Sequence, residues 1–322
     1  MSQKPKSMTK LTRRGFLAGT AMTVGAAIGS EQSVKAESEN VALQPQSRGP
    51  RTKASNRNTN LRGYCYPLSP NGKASILDDP PWHFGGDILF VSYRAEPAAV
   101  GAVLPEPLEL GSEPGRALTW VAEITCCGDA TRDMPYRNPA RTRYVEGMVA
   151  VSCRYHGKEG IYVPYIWVDQ DWSMARGWWF GWPKKLADVW LGAVHPVNPG
   201  LGPMREGVRL SGLVSRHGLP VLRAAIHVQR RGQGKDVPRF GHLFCLRHVP
   251  NVQFGQSPDL QQLLRMEITN YQVGDVWTGD GELEFFPHEN EELEPLRPRQ
   301  ILGAVWAQVG WTNPGAEVLS SE

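Results

Sequence analysis

The sequence predicts a mainly β fold, an antiparallel sheet or barrel, and three observations carry that prediction. Short runs of aromatic and β-branched residues recur along the chain, and Gly, Pro, Asp or Asn punctuates them. The 26 prolines and 34 glycines suit many turns better than long helices. Helical patterns are few. In order, the strand-like runs are Asp87 to Tyr93, Ala117 to Ile124, Gly147 to Tyr155 and Gly160 to Val168, followed by Asp188 to Val194, Val208 to Val214, Leu222 to Gln229 and Glu282 to Phe286. Helices are expected over Glu96 to Val103, Ser257 to Leu264 and Arg297 to Leu302. Many short strands at such spacing argue an antiparallel sheet or barrel, and the mouth of a barrel is a natural pocket for a small ligand.

The N-terminus reads as an address, separate from the fold. Lys4, Lys6, Lys10, Arg13 and Arg14 precede an apolar, small-residue run from Phe16 to Ile28, and Val34-Lys35-Ala36 offers a cleavage point. That is the layout of a secretory signal peptide, with an apolar run too short for a membrane span. Thr12-Arg13-Arg14-Gly15-Phe16-Leu17 adds the twin-arginine arrangement, so residues 1–36 are expected to engage the Tat export machinery and deliver a periplasmic or extracellular protein. Stable membrane insertion is not expected. Residues 37–60 are poor in apolar positions and read as a flexible linker, which leaves one domain over 61–322. Without residues 1–36 the formal charge falls from +3 to −2, so nothing in the charge supports nucleic-acid binding.

Other constellations are sparse. Cys65, Cys126, Cys127, Cys153 and Cys245 are odd in number and irregular in spacing, which is no disulfide framework. The eight histidines show no metal-ligand spacing, Gly232-Gln233-Gly234-Lys235 lacks the spacing of a phosphate loop, and no Gly-x-Ser-x-Gly elbow occurs. No cofactor or metal is expected.

The most informative segment is Gly181-Trp182-Pro183-Lys184-Lys185-Leu186-Ala187, with Trp178, Trp179 and Phe180 just before it. An apolar wall beside a lysine disfavours its charged form, and a neutral lysine attacks ketones to form an imine. The alternative is two lysines whose stems lie over the tryptophans while their heads reach solvent. On an extended strand adjacent side chains point to opposite faces, so Lys185 should point away from Lys184. Two acids sit among apolar neighbours: Glu123 within Trp120-Val121-Ala122-Glu123-Ile124, and Glu146 after Tyr144-Val145. Either acid near a neutral lysine could move protons on and off a ketone carbon; either could equally be a solvent-facing strand residue.

Three segments in order resemble the acetoacetate decarboxylase family. Leu104-Pro105-Glu106-Pro107-Leu108-Glu109 is similar to the family's V-P-E-P-L-E, Trp182-Pro183-Lys184-Lys185-Leu186 to its (Y/F)-P-K-K-L, and Val276-Trp277-Thr278-Gly279 to its A-W-T-G. The resemblance spans residues 80 to 320 and implies a cone-like antiparallel β-barrel with surrounding strands, a few short helices and homo-oligomers. It implies Lys184 as the imine-forming residue, Lys185 as a neighbour that depresses its pKa, and Glu123 and Glu146 as the active-site acids. Acetoacetate decarboxylase is itself the standard case of a lysine activated beside another cation.

Two departures bear on the substrate. The family's carboxylate-pairing arginine aligns with Gly86, where no side chain can pair with a carboxylate. Its Gly-Arg-Glu before the lysine is replaced by Gly177-Trp178-Trp179, which implies a bulkier, less polar site. The expected activity is a Schiff-base lyase that decarboxylates a small β-keto acid. The alternatives are imine-dependent aldol or dehydration chemistry on a keto acid, or a non-catalytic barrel that binds an apolar ligand.

Overall fold

The computed structural model of the protein describes residues 60–239 and 241–321. The leader read over 1–36, and the linker read over 37–60 save its last residue, lie outside the described residues.

Strands dominate, as the turn-rich sequence predicts. The first half holds β1 (Trp82–Arg94), β2 (Glu109–Leu110), β3 (Arg116–Gly128), β4 (Arg143–Tyr155), β5 (Lys158–Val168), β6 (Lys184–Leu186) and β7 (Asp188–Leu191). The second half holds β8 (Arg209–Arg216), β9 (Leu219–Arg231), β10 (His242–Val249), β11 (Leu260–Met266), β12 (Thr269–Phe285), β13 (Gln300–Asn313) and β14 (Ala316–Ser321). Three short α-helices join them: α1 (Pro97–Ala102), α2 (Met134–Arg137) and α3 (Asp171–Trp179). Among the described residues no helix is long and apolar enough to cross a membrane.

The strands form one sheet in the order β14-β11-β10-β5-β4-β3-β1-β13-β12-β9-β8-β7, with β2 beside β4 and β6 beside β5. Pairing is antiparallel except for β10–β5 and β5–β6. The path ends at β14 and β7, so the expected barrel is a curled sheet that its backbone hydrogen bonds do not close. The curl brings distant strands into one core: Val121 of β3, Val149 of β4, Val189 of β7 and Val214 of β8 share an apolar cluster. Alternate residues of the same strands supply a second cluster on the opposite face, with Ile88, Phe90, Ala122, Met148 and Ile166 among them. The central strands are therefore apolar on both faces, which is why their sequences run continuously apolar rather than alternating.

Three local expectations change. Residues 260–264 of the predicted helix Ser257 to Leu264 belong to β11, and residues 300–302, at the end of Arg297 to Leu302, open β13. Leu263 and Leu264 are both buried between neighbouring strands, so tertiary pairing overrides a weak helical pattern. The helix α3 lies where the sequence shows a tryptophan cluster rather than an apolar periodicity, and it forms one wall of the cavity described next.

Candidate active site

Helix α3 and strand β6 carry the lysine segment into a cavity of about 130 Å³. The turn between them is a Schellman ending: Trp182 N–H donates to the Gly177 carbonyl (2.9 Å) and Gly181 N–H to that of Trp178 (3.4 Å). Gly181 takes φ of +77°, the left-handed conformation that this ending requires. The chain then runs beside β5, with Lys184 level with Ile166 and Lys185 level with Trp167. Lys184 lines the cavity and Lys185 emerges on the other face, as the alternation of strand side chains predicts.

Lys184 is buried, with its side chain 6 % exposed, and its Nζ donates to Glu146 Oε2 at 2.7 Å and to Ser173 Oγ at 3.1 Å. Glu146 on β4 is equally enclosed. Ser173, Arg176 and Gly177 lie three and four residues apart on one buried face of α3. Gly177 is a packing necessity there: a Cβ would lie 2.6 Å from both Cγ and Cδ of Lys184, so only glycine lets the lysine stem pass. Burial lowers the pKa of Lys184; the Glu146 carboxylate opposes that shift, and the Arg176 guanidinium reinforces it.

Arg176 is the functional side chain that sequence reasoning missed. Its guanidinium is buried, donates to Cys126 Sγ (3.0 Å) and Tyr144 Oη (3.2 Å), and lies over the rings of Phe84, Tyr144, Trp172 and Trp82. Burial raises the pKa values of both Cys126 and Tyr144, so at neutral pH its hydrogen-bond partners are an uncharged thiol and phenol. Among the described residues no carboxylate forms an ion pair with it. A buried cation with neutral partners and aromatic walls, at the edge of a cavity that holds an amine, is equipped to receive a carboxylate. The available signal in the sequence was an arginine two residues before the tryptophan cluster, with no motif to single it out.

The other predicted site residues fall elsewhere. Glu123 is level with Val145, whereas Glu146 is level with Ala122, so the two acids occupy opposite faces of the sheet. Glu123 pairs with Arg143 and is not brought to the cavity. Lys185 pairs with the buried Glu291, and the cation that acts on Lys184 is Arg176 instead. Gly86 does lie level with Ile124 and Val309 on the cavity face, but a Cβ there would sit 2.2 Å from the Glu123 carbonyl oxygen, so no arginine fits. Trp178 does not crowd the site as its sequence position implied. It is exposed and its Nε1 donates to the Lys184 carbonyl (2.8 Å), while Phe180 and Trp182 line the cavity.

Comparison with known proteins places the chain in a family. The chain is 24 % identical over 249 residues to the acetoacetate decarboxylase of Clostridium botulinum (strain Eklund 17B / Type B), an alignment that covers 74 % of this chain and 89 % of that one. Its fold is similar to an acetoacetate decarboxylase-like enzyme from Sphingomonas wittichii RW1, with TM-score 0.76 and 32 % identity over 80 % of this chain and 100 % of the other. It is similar as well to the enduracididine biosynthesis enzyme MppR complexed with pyruvate, with TM-score 0.74 and 30 % identity over 81 % of this chain and 98 % of that one. MppR is also known complexed with the condensation product of pyruvate and imidazole 4-carboxaldehyde. The family model for acetoacetate decarboxylase matches residues 65–322, and the chain belongs to the acetoacetate decarboxylase family.

Proposed function

We propose that this protein is a lysine-imine carbon–carbon lyase acting on a small keto acid. The observation that carries the reading is the buried trio on one cavity wall: Lys184 in contact with Glu146, and Arg176 close enough to depress the lysine pKa. The neutral amine of Lys184 attacks the ketone carbon. Glu146 moves the proton released from nitrogen to the carbinolamine oxygen, and a further proton drawn from solvent through Glu146 lets that oxygen leave as water and leaves a protonated imine. The resulting iminium draws electrons from the neighbouring carbon, and loss of carbon dioxide or of a proton from that carbon yields an enamine. Protonation of the enamine and hydrolysis of the imine free the lysine.

Arg176 takes the place of the absent arginine at Gly86 and holds the substrate carboxylate. That placement favours the second reading, aldol or dehydration chemistry on an α-keto acid. In an α-keto acid the carboxylate sits on the carbon that becomes the iminium, so its loss would give no enamine, and proton loss from the other neighbouring carbon is the route that remains. The 30 % identical structural neighbour MppR, complexed with pyruvate, supports the same choice. The leader read over residues 1–36 makes the proposed enzyme an exported one.

The test is reductive trapping. The protein is incubated separately with pyruvate and with acetoacetate, reduced with borohydride and mapped by mass spectrometry, while carbon dioxide release is followed. The expected result is an adduct on Lys184 with both, and carbon dioxide release well below the amount of trapped imine. Compared at pH values above the Lys184 titration of each protein, Arg176→Met should weaken keto-acid capture about 30- to 100-fold and leave capture of neutral acetone unchanged, the range set by a lost charge-assisted hydrogen-bond pair. If no small keto acid is trapped on Lys184, the non-catalytic ligand-binding reading replaces this one.

A further inference from the structure

One buried donor beside the cavity has no partner among the described residues. Trp120 Nε1 is buried and finds no acceptor among the described residues, although the indole lines the same cavity as Lys184. Burying an N–H without an acceptor is costly, and folded proteins rarely do so without a use. The other polar side chains discussed around this cavity are satisfied: Lys184 by Glu146 and Ser173, Arg176 by Cys126 and Tyr144, and Asn313 by the carbonyls of Glu267 and Gly315.

Strand register fixes where Trp120 stands. Lys184 is level with Ile166, Ile166 with Met148, Met148 with Trp120, and Trp120 with Phe90. All five line the cavity, so they form one row across its floor. Three strand spacings separate the backbones of Lys184 and Trp120, about 14 Å before the curl of the sheet is counted. The amine and the indole therefore approach the cavity from two ends, with the apolar side chains of Ile166 and Met148 between them. Phe90 packs edge-on against Trp120, with ring centroids 5.9 Å apart, and holds the indole plane.

We propose that Trp120 is a specificity-determining residue: its N–H receives a hydrogen-bond acceptor at the far end of an apolar, planar substituent on the keto acid. This rests on the keto-acid reading of the site, with the carboxylate at Arg176 and the ketone at Lys184. The substrate class is then a 2-oxo acid whose side chain crosses Ile166 and Met148 and ends in an oxygen or a ring nitrogen. A bare three-carbon acid would leave the indole N–H without a partner.

A matched pair of ligands tests it: 2-oxo-4-phenylbutanoate and its isosteric 4-pyridyl analogue, which differ only in the ring acceptor. Calorimetric affinities are measured for the unmodified protein and for Trp120→Phe, with reductive trapping run in parallel. The unmodified protein should prefer the pyridyl acid by about five- to tenfold, the range expected for one hydrogen bond in a dry site. Trp120→Phe should abolish that preference and leave the affinity for the phenyl acid within about twofold. A preference that survives in Trp120→Phe, or equal or absent binding of both acids in the unmodified protein, overturns the proposal. A preference without any trapped adduct on Lys184 supports the role of Trp120 and counts against the imine reading alone.

Discussion

Two adjacent lysines on β6 lead to two similar charge groups with different consequences. On the cavity face Lys184 meets the buried Glu146, with Arg176 beyond. On the other face Lys185 meets the buried Glu291, with Arg216 3.6 Å from the same carboxylate and Trp167 Nε1 donating to it at 3.1 Å. Each face therefore sets two cations around one glutamate. What differs is water and the second cation's partners. The Lys185 side chain is 30 % exposed and Arg216 also reaches solvent, so their charge is hydrated and both Glu291 oxygens are engaged. Lys184 is sealed, and Arg176 has only uncharged partners. The Lys185 group is a clasp between β5, β6 and the segment before β13; the Lys184 group is the proposed reactive site, because desolvation makes protonation of its amine costly.

The comparison breaks most sharply on the lysines themselves. Lys184→Met should remove the trapped adduct and lower keto-acid turnover by about a thousandfold or more, since the covalent route is lost. Lys185→Met should keep the adduct and hold turnover within about threefold. Its cost falls on stability, roughly 1–2 kcal/mol by chemical denaturation, because Glu291 loses one cation but a partly exposed lysine contributes less than a sealed one. Equal loss of trapping in both variants would end the distinction between the faces.

The pH dependence sharpens it next. The attacking amine must be neutral, so imine formation should rise with pH through the Lys184 pKa, below the range of an ordinary lysine. Glu146 raises that pKa and Arg176 lowers it, so Glu146→Gln should move the rising limb to lower pH and Arg176→Met to higher pH. Lys185→Met should leave the limb in place. The rate of reductive trapping between pH 5 and 10 reads all three. The same depression means that the folded protein binds fewer protons than the unfolded chain between the folded and unfolded pKa values of Lys184, so this group adds stability as pH rises through that window.

The smallest expected effect on the chemistry of Lys184 is steric. Gly177→Ala places a methyl group against the Lys184 stem and should cost about 1–3 kcal/mol in stability, with a slower trapping rate and an unchanged adduct site. An unperturbed rate would show that the stem is free to move and that packing from α3 does not orient the amine.

Much of the architecture was legible in residue types. The aromatic and β-branched runs between turn residues became strands, and the proline-lysine-lysine segment in its tryptophan setting drew notice before any coordinates. The acids were harder to separate. Glu123 and Glu146 both sit among apolar residues because the central strands are buried on both faces, so the usual rule that polar residues mark the solvent side fails here. Only the register, with Glu146 level with Ala122 and Glu123 level with Val145, separates the faces. The helices misread at Ser257 to Leu264 and Arg297 to Leu302 failed for a related reason, since strand partners distant in sequence decided their conformation.

By itself the sequence determined the strand-rich fold class, the family resemblance, and the opposite outlooks of Lys184 and Lys185, because each follows from local composition or from the two-residue alternation of a strand. The tertiary structure decided which acid meets the lysine, that Arg176 rather than Lys185 or a residue at position 86 supplies the second cation, and that the Trp120 indole lines the same cavity. Those outcomes depend on β3, β4, β5 and β6 lying level with one another and on α3 folding back over them. Such long-range register leaves no signature in the spacing of residues along the chain.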